Sequence, residues 1–452
     1  MSPPLTEIAV LEQVSGLIAS RKFDQLDKLI DTALAVEPES ANLLNARGCL
    51  FTGMGRHHEA LKWYSSALQY NPSAAGIWNN LGTAFMQLKY FGAAISAHKR
   101  AIELSGSEAF MHHNLGLCLA ENGQHGEAIQ AYNRTIELEP NHRAARWDRA
   151  RSYLYLGNYM QGWPDYEVRL ISGQIPQRHN AGEKWAGEPY VGKRLLILVE
   201  QGFGDTLWAL RYLPKVKALG GDLIIECKKE LAPIIRSLGV ADKIISYGDT
   251  LPDTDFYLYI CSLPGLFWQN LRALAATPYI TASPERVEKF KPLVNIHRKK
   301  LKVGIVWSGS VTFGKNSERA LPLSRLLEAV DMPGVQLFSL QKGPPAGELT
   351  DRVHGKNIID LAGVIEDFAD TAALIANLDL VIMTDSALAH LAGAMGKPVW
   401  VLLGHSAHWL WLLDRADSPW YSSVRLFRPR VEGDWHHVLD IVATELLKLT
   451  MS

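Results

Sequence analysis

The chain has 452 residues, 47% hydrophobic and 21% charged, a balance that suits a globular protein of roughly three domains and excludes a disordered or fibrous one. Lysine plus arginine, 46, nearly cancels aspartate plus glutamate, 47, so no global positive field recommends nucleic acid or an anionic membrane as partner. The four cysteines, Cys49, Cys118, Cys227 and Cys261, have neither zinc spacing nor a disulfide framework, and there is no signal-peptide start or long apolar run; the expectation is a cytoplasmic protein with no transmembrane segment.

Self-similarity dominates the first third. Gly48, Gly82 and Gly116 recur every 34 residues, as do Ala60, Ala94 and Ala128, and Phe51, Phe85 and Leu119, while Pro38, Pro72 and Pro140 fall on multiples of that step. This is the tetratricopeptide period, and each unit is a helix pair. Small Gly48 and Ala60 let two antiparallel helices approach, Phe51 and Tyr64 fill between them, and Pro72 stops the second helix. Residues 7–40 fit more loosely, through Leu17, Ala33 and Pro38, and residues 143–170 begin another unit with Tyr153 and Gly157. An all-α solenoid over residues 1–170 follows, its ends capped by atypical units. Two roles stay open: its concave face binds a partner or acceptor segment, or it only joins subunits or braces the lobes that follow.

The stretch ISGQIPQRHNAGEKWAGEP reads as part of a linker over residues 171–193. Beyond it the runs LLILV (195–199), DLIIEC (222–227) and FYLYI (256–260) read as strands buried on both faces, with Leu207, Leu210 and Leu213 at helical spacing between the first two. Strand, helix, strand implies a parallel sheet, hence an α/β lobe over 194–285. A charged break, PERVEKFKPLVNIHRKK, leads into a second α/β lobe over 286–452. Its strands are expected at 301–307, 335–340, 379–383 and 398–403, and its helices at about 322–331, 371–378 and 386–395. Ligands of such sheets bind beyond the carboxyl ends of the strands, so two facing lobes define a cleft.

Four loops carry the chemistry. In EQGFGD (200–205), Gly202 and Gly204 let a ligand approach the main chain, and Asp205 sits where a helix begins. Helix capping alone accounts for an aspartate there; the alternative is a general base that takes a proton from an acceptor hydroxyl. In TDSALAHLAGAMGKP (384–398), Ser386 and Ala387 leave backbone amides accessible at a helix start, an anion site suited to a diphosphate. His390, one turn on, either donates to the same phosphate or is a core histidine bonded to a backbone carbonyl. In SGSVTFGKNSERALP (308–322), Ser308, Lys315, Asn316 and Arg319 come together; its cations would neutralise a leaving diphosphate, or are simply solvated. In EDFADTAALIANLDL (366–380), Asp370 reads as a helix N-cap.

The segments GWPDYEVR (162–169), KWAGEP (184–189), EQGFGDTLWALRYLP (200–214), DTAALIANLDLVIMTDSALAHLAGAMGKPVWVLL (370–403) and DSPWYSSVRLFR (417–428) carry a resemblance. Together they make residues 160–430 similar to bacterial tetratricopeptide-containing glycosyltransferases with a heptosyltransferase-like (family 9) catalytic part. The resemblance implies a GT-B module of two Rossmann-like lobes, acceptor side first and donor side second. It also implies an inverting transfer of a hexose or heptose, no required metal and no cofactor, with a nucleotide-diphosphate sugar as donor and a protein or glycan as acceptor. It places the catalytic base on Asp205 and the donor site on the segment Thr384, Asp385, Ser386, Ala387 and His390. Ser310 stands where relatives more often have asparagine, which leaves Lys315 and Arg319 less well matched. The rival from another class is a noncatalytic interaction protein whose two lobes persist as a nucleotide-binding platform. A protein O-linked N-acetylglucosaminyltransferase shares the plan but not the catalytic segment, and an epimerase of this fold would need further acid and base carboxylates.

Overall fold

A computed structural model describes residues 7–172, 175, 178, 182–267, 277–297, 299–314, 316–350, 357–405, 407–431 and 433–451. The chain divides into two compact units, Met1–Leu156 and Gly157–Ser452.

The first unit consists of helices α1 (Glu7–Ala19), α2 (Phe23–Leu34), α3 (Ala41–Gly53), α4 (His57–Tyr70), α5 (Ala75–Gln87), α6 (Phe91–Ser105), α7 (Ala109–Glu121), α8 (His125–Leu138) and α9 (Arg143–Tyr155). It is a tetratricopeptide solenoid, and the 34-residue columns explain its packing. Gly48 of α3 lies against the Tyr64 ring of α4, and Gly116 of α7 against Tyr132 of α8; a Cβ at either glycine would run into the ring. In the middle repeat Gly82 meets His98 instead, with a Cβ placed 2.8 Å from Cε1. Turns between paired helices share another column: Arg21, Gly55, Lys89 and Gly123 all have φ between 53° and 76°. Side chains tie successive repeats at a constant offset, Asn80 donating to Asn45 and Asn114 to Asn79, each at 3.0 Å.

The second unit opens with α10 (Tyr159–Tyr166). Residues 157–170, which continue the repeat spacing, fall in this compact unit, where their aromatic side chains pack. Trp163 stacks on Trp208 at 6.2 Å and meets Trp409 edge-on at 5.7 Å, and Tyr159 meets Trp420 at 5.5 Å. Then come β1 (Glu183–Lys184), β2 (Arg194–Leu198), α11 (Phe203–Ala209), α12 (Leu213–Lys217), β3 (Asp222–Cys227), α13 (Ala232–Ser237), β4 (Lys243–Ser246), β5 (Phe256–Tyr259) and α14 (Leu263–Phe267). The strands form a parallel sheet in the order β1-β5-β2-β3-β4; β1 lies inside the expected linker.

After α15 (Pro284–Val294) the alternation restarts with β6 (Leu301–Val306), α16 (Asn316–Arg319), α17 (Leu323–Val330), β7 (Val335–Ser339), β8 (Ile358–Asp360), α18 (Phe368–Ala376), β9 (Leu380–Thr384), α19 (Ala387–Ala394), β10 (Val399–Leu402), β11 (Val424–Phe427) and α20 (Trp435–Met451). This sheet is also parallel, in the order β11-β10-β9-β6-β7-β8. Strands β7, β9 and β10 are buried along their whole length and β6 over its last four residues, as strands covered by helices on both faces must be. Helix α18 begins three residues earlier than expected because Asp367, not Asp370, is its N-cap, accepting from Ala369 N–H at 2.8 Å and Asp370 N–H at 2.9 Å. Asp370 instead accepts from Glu366 N–H and from Arg286, at 3.0 and 2.8 Å. Among the described residues no helix is long and apolar enough to cross a membrane.

Candidate functional site

Strand order locates the crevice. In the first sheet the chain runs from β2 outward through β3 and β4, then returns to place β5 on the other side of β2. In the second it runs from β6 through β7 and β8, then returns to place β9 beside β6. Such a reversal sends neighbouring loops in opposite directions and leaves an opening beyond the carboxyl ends of the two strands. The loop after β2 carries Gly202, Gly204 and Asp205; those after β6 and β9 carry Ser308 and Thr384 to Ala387.

The first of these loops turns sharply: Gln201 adopts φ 62°, a left-handed conformation that costs a non-glycine residue energy and recurs at functional sites. Gly202 is the N-cap of α11, and Asp205 is the third helical residue rather than the cap. Its Oδ2 accepts the Gly202 N–H at 3.2 Å, while its side chain remains 21% exposed. The local fold thus holds one carboxylate oxygen and leaves the group accessible. Gly204 is needed for contact between lobes: a Cβ there would lie 2.9 Å from His390 Cδ2 and 3.5 Å from Ala387 Cα. The starts of α11 and α19 therefore meet directly.

On the opposite wall, Ser386 is the N-cap of α19 without a side-chain cap, and its hydroxyl points to Met383 Sδ at 3.8 Å. The first amides of a helix lack the usual partner four residues back; of those opening α19, Ala389 N–H donates to the Ser386 carbonyl at 3.1 Å. The hydroxyl of Thr384 is buried and without a hydrogen-bond partner among the described residues. Asp385 accepts the Trp411 Nε1–H at 2.9 Å and lies 3.9 Å from Arg319. His390 is buried; its Nδ1 lies 3.1 Å from the Tyr421 hydroxyl and its ring stacks on Trp411 at 4.8 Å. Burial pushes its pKa down to about 3, so the ring is neutral near pH 7. The polar partner of His390 is thus a tyrosine hydroxyl, not the backbone carbonyl considered from the sequence.

The loop after β6 is tied to the same wall. Ser308 is buried, its N–H donating to Gln341 Oε1 at 3.0 Å and its hydroxyl accepting from Asn316 Nδ2 at 3.1 Å. Arg319 reaches back to Asn316 Oδ1 at 3.4 Å and lies over the Phe313 ring at 4.4 Å. Gly309 leaves room for it, a Cβ there lying 2.7 Å from Arg319 Nη2. Lys315 lies outside the described residues.

Several participants carried no sequence signal strong enough to single them out. Arg211, in the turn after α11, is buried and donates to the carbonyls of Trp208 and Trp420, at 2.9 and 3.3 Å, and to the Tyr279 hydroxyl at 3.3 Å. It joins the lobes through polar contacts that no periodicity reveals. His408, after β10, brings Nε2 to 3.9 Å from Asp205 Oδ1. The only hint was the density of tryptophan in Trp409, Trp411 and Trp420, which marks a packed loop rather than a solvated one. Among the described residues no group of three histidine, cysteine or acidic side chains is arranged to hold a metal.

Comparison with known proteins agrees with the two-part architecture. Tetratricopeptide repeat models match residues 48–89, 75–108 and 109–142. The model of glycosyltransferase family 9 (heptosyltransferase) matches residues 333–428, a segment that includes Thr384 to His390 but not Asp205. Protein FlbA of Caulobacter vibrioides is 32% identical over 331 residues, which cover 66% of this chain and 54% of FlbA. The chain thus spans about half the length of the curated relative it matches. Among solved structures, MamA is 23% identical with a TM-score of 0.33, the match covering 36% of this chain and 94% of that one. The pilF protein of Pseudomonas aeruginosa is 20% identical with a TM-score of 0.35, covering 38% and 78%.

Proposed function

We propose that this chain, with its tetratricopeptide repeats and its glycosyltransferase family 9 segment, transfers a hexose or heptose from a nucleotide-diphosphate donor to a hydroxyl acceptor. The reaction is a single inverting displacement without a metal. The observation that carries the reading is the accessible Asp205 carboxylate at one sheet's switch point, set against the start of α19 at the other's. Asp205 takes the proton of the acceptor hydroxyl as its oxygen bonds to the anomeric carbon, and the bond to the diphosphate breaks with its electron pair on the phosphate oxygen. The amides opening α19, the Thr384 hydroxyl and the Arg319 guanidinium receive that charge. His390, being neutral, contributes packing and at most a hydrogen bond. The repeats present the acceptor, a protein or a surface glycan, and four free thiols suit a cytoplasmic setting.

One observation favours a second reading, a nucleotide-binding platform without catalysis: the matched family segment leaves out the loop of Asp205. Thermal unfolding of the full chain with ADP, GDP, UDP and their sugars separates the two, because a ligand of the native state raises the melting temperature. Asp205→Asn should keep the shift and lose nucleotide release by at least about a hundredfold. A variant as fast as the parent rejects Asp205 as the base; a parent that binds but never turns over leaves the platform reading.

A further inference from the structure

We infer that His408 is a second residue that holds the acceptor oxygen, seated opposite Asp205; this rests on the transferase reading. Its Nδ1 accepts the Leu410 N–H at 3.4 Å, so the neutral ring carries its proton on Nε2, and that is the atom facing Asp205. The 3.9 Å between Nε2 and Asp205 Oδ1 is too long for a direct hydrogen bond. A single oxygen, however, fits about 2.8 Å from both. Both side chains are reachable, His408 at 37% and Asp205 at 21% exposure.

The segment carrying His408 is held more firmly than a surface loop needs. Trp409 is buried against Trp163, Tyr166 and Trp208. Trp420 Nε1–H donates to the Leu410 carbonyl at 2.8 Å, and Arg428 donates to the carbonyls of Trp411 and Leu412 at 2.7 and 2.9 Å. Leu412 is forced to φ 55° and ψ −166°, a region all but reserved for glycine. Strain kept in place by this many contacts fixes two rings of the segment at the crevice: Trp411, bonded to Asp385 on the donor wall, and the His408 imidazole, which faces Asp205.

In the reaction the acceptor oxygen receives the Nε2–H in one lone pair and attacks the anomeric carbon with the other. Its own proton passes to Asp205 Oδ1, and the electron pair of the broken bond leaves on the diphosphate. His408 neither gains nor loses a proton; it fixes the direction of attack, for water as for a sugar or protein hydroxyl.

The test uses the full chain with the ADP, GDP and UDP derivatives of hexoses and heptoses and water as acceptor, reading release of the nucleoside diphosphate. His408→Ala should lower release about tenfold, the worth of one neutral hydrogen bond. It should leave the thermal shift given by the nucleoside diphosphate alone unchanged. His408→Gln, whose amide places an N–H near the position of Nε2, should recover most of the rate. An alanine variant as fast as the parent, a glutamine variant as slow as alanine, or a thermal shift lost along with the rate would each overturn the assignment while the transferase reading stands. A parent that releases no nucleotide from any of these donors removes both.

Discussion

Glu200, the residue just before the strained turn, should be far more costly to alter than its single charge suggests. Its carboxylate meets Arg169 through two bonds, Nη2 to Oε1 at 2.6 Å and Nε to Oε2 at 3.2 Å, and also accepts the Cys261 N–H at 3.3 Å. The two side chains are 0% and 1% exposed. Glu200→Gln keeps the volume but sets an amide N–H against the guanidinium or the Cys261 N–H and leaves a buried cation undercompensated. Breaking a buried pair in this way costs about 3–5 kcal/mol. Arg169 keeps Glu167, Ser262 and the Tyr166 carbonyl, which places the cost near the lower end, about 3 kcal/mol. For a unit of this size each kcal/mol moves the melting temperature by roughly 2 °C, so calorimetry of the full chain should find the second unit's transition about 6 °C lower. The double replacement Arg169→Met with Glu200→Leu should recover most of that loss, since an apolar pair carries no desolvation cost. A Glu200→Gln protein that melts within about 1 °C of the parent would refute the reasoning.

Other consequences are open to measurement. His98 is buried with both ring nitrogens unpartnered among the described residues, and burial pushes its pKa down to about 4. The unfolded chain protonates first as pH falls below about 6.5, so stability is full above that pH and declines toward pH 4, by up to about 3 kcal/mol. His98→Phe should raise the stability of the first unit by about 1 kcal/mol at pH 7 and flatten this acid loss; His125, also held at about 4, leaves a remainder. An unchanged slope of melting temperature against pH would contradict it. Gly204→Ala should push the starts of α11 and α19 apart and reduce nucleotide release by roughly tenfold or more with the circular dichroism unchanged; full activity would mean that the contact can yield at no cost.

Much of the fold was legible because it rests on local repetition. The columns of Gly48, Gly82 and Gly116 announced the helix pairs, since a small residue there is the condition for an aromatic or imidazole ring to pack from the next helix. Continuous apolar runs announced the inner strands. The strands without a sequence signal, β1, β4, β8 and β11, are all edge strands, and each is too short or too unevenly buried to leave an unbroken apolar run. Residues 157–170 illustrate a different limit: they continue the repeat spacing, yet their partners Trp208, Trp409 and Trp420 come from far along the chain.

The residues of the crevice divide in the same way. Sequence alone marked Asp205, Ser386 and Arg319 as polar residues on loops at strand ends, because strand, glycine and helix start are adjacent in the chain. It did not determine that Gly204 would touch His390, that Tyr421 would bond His390, or that His408 would stand 3.9 Å from Asp205. Those relations join residues about thirty to two hundred positions apart. Only the closure of two sheets at their switch points brings them together, and no local preference of the backbone encodes it.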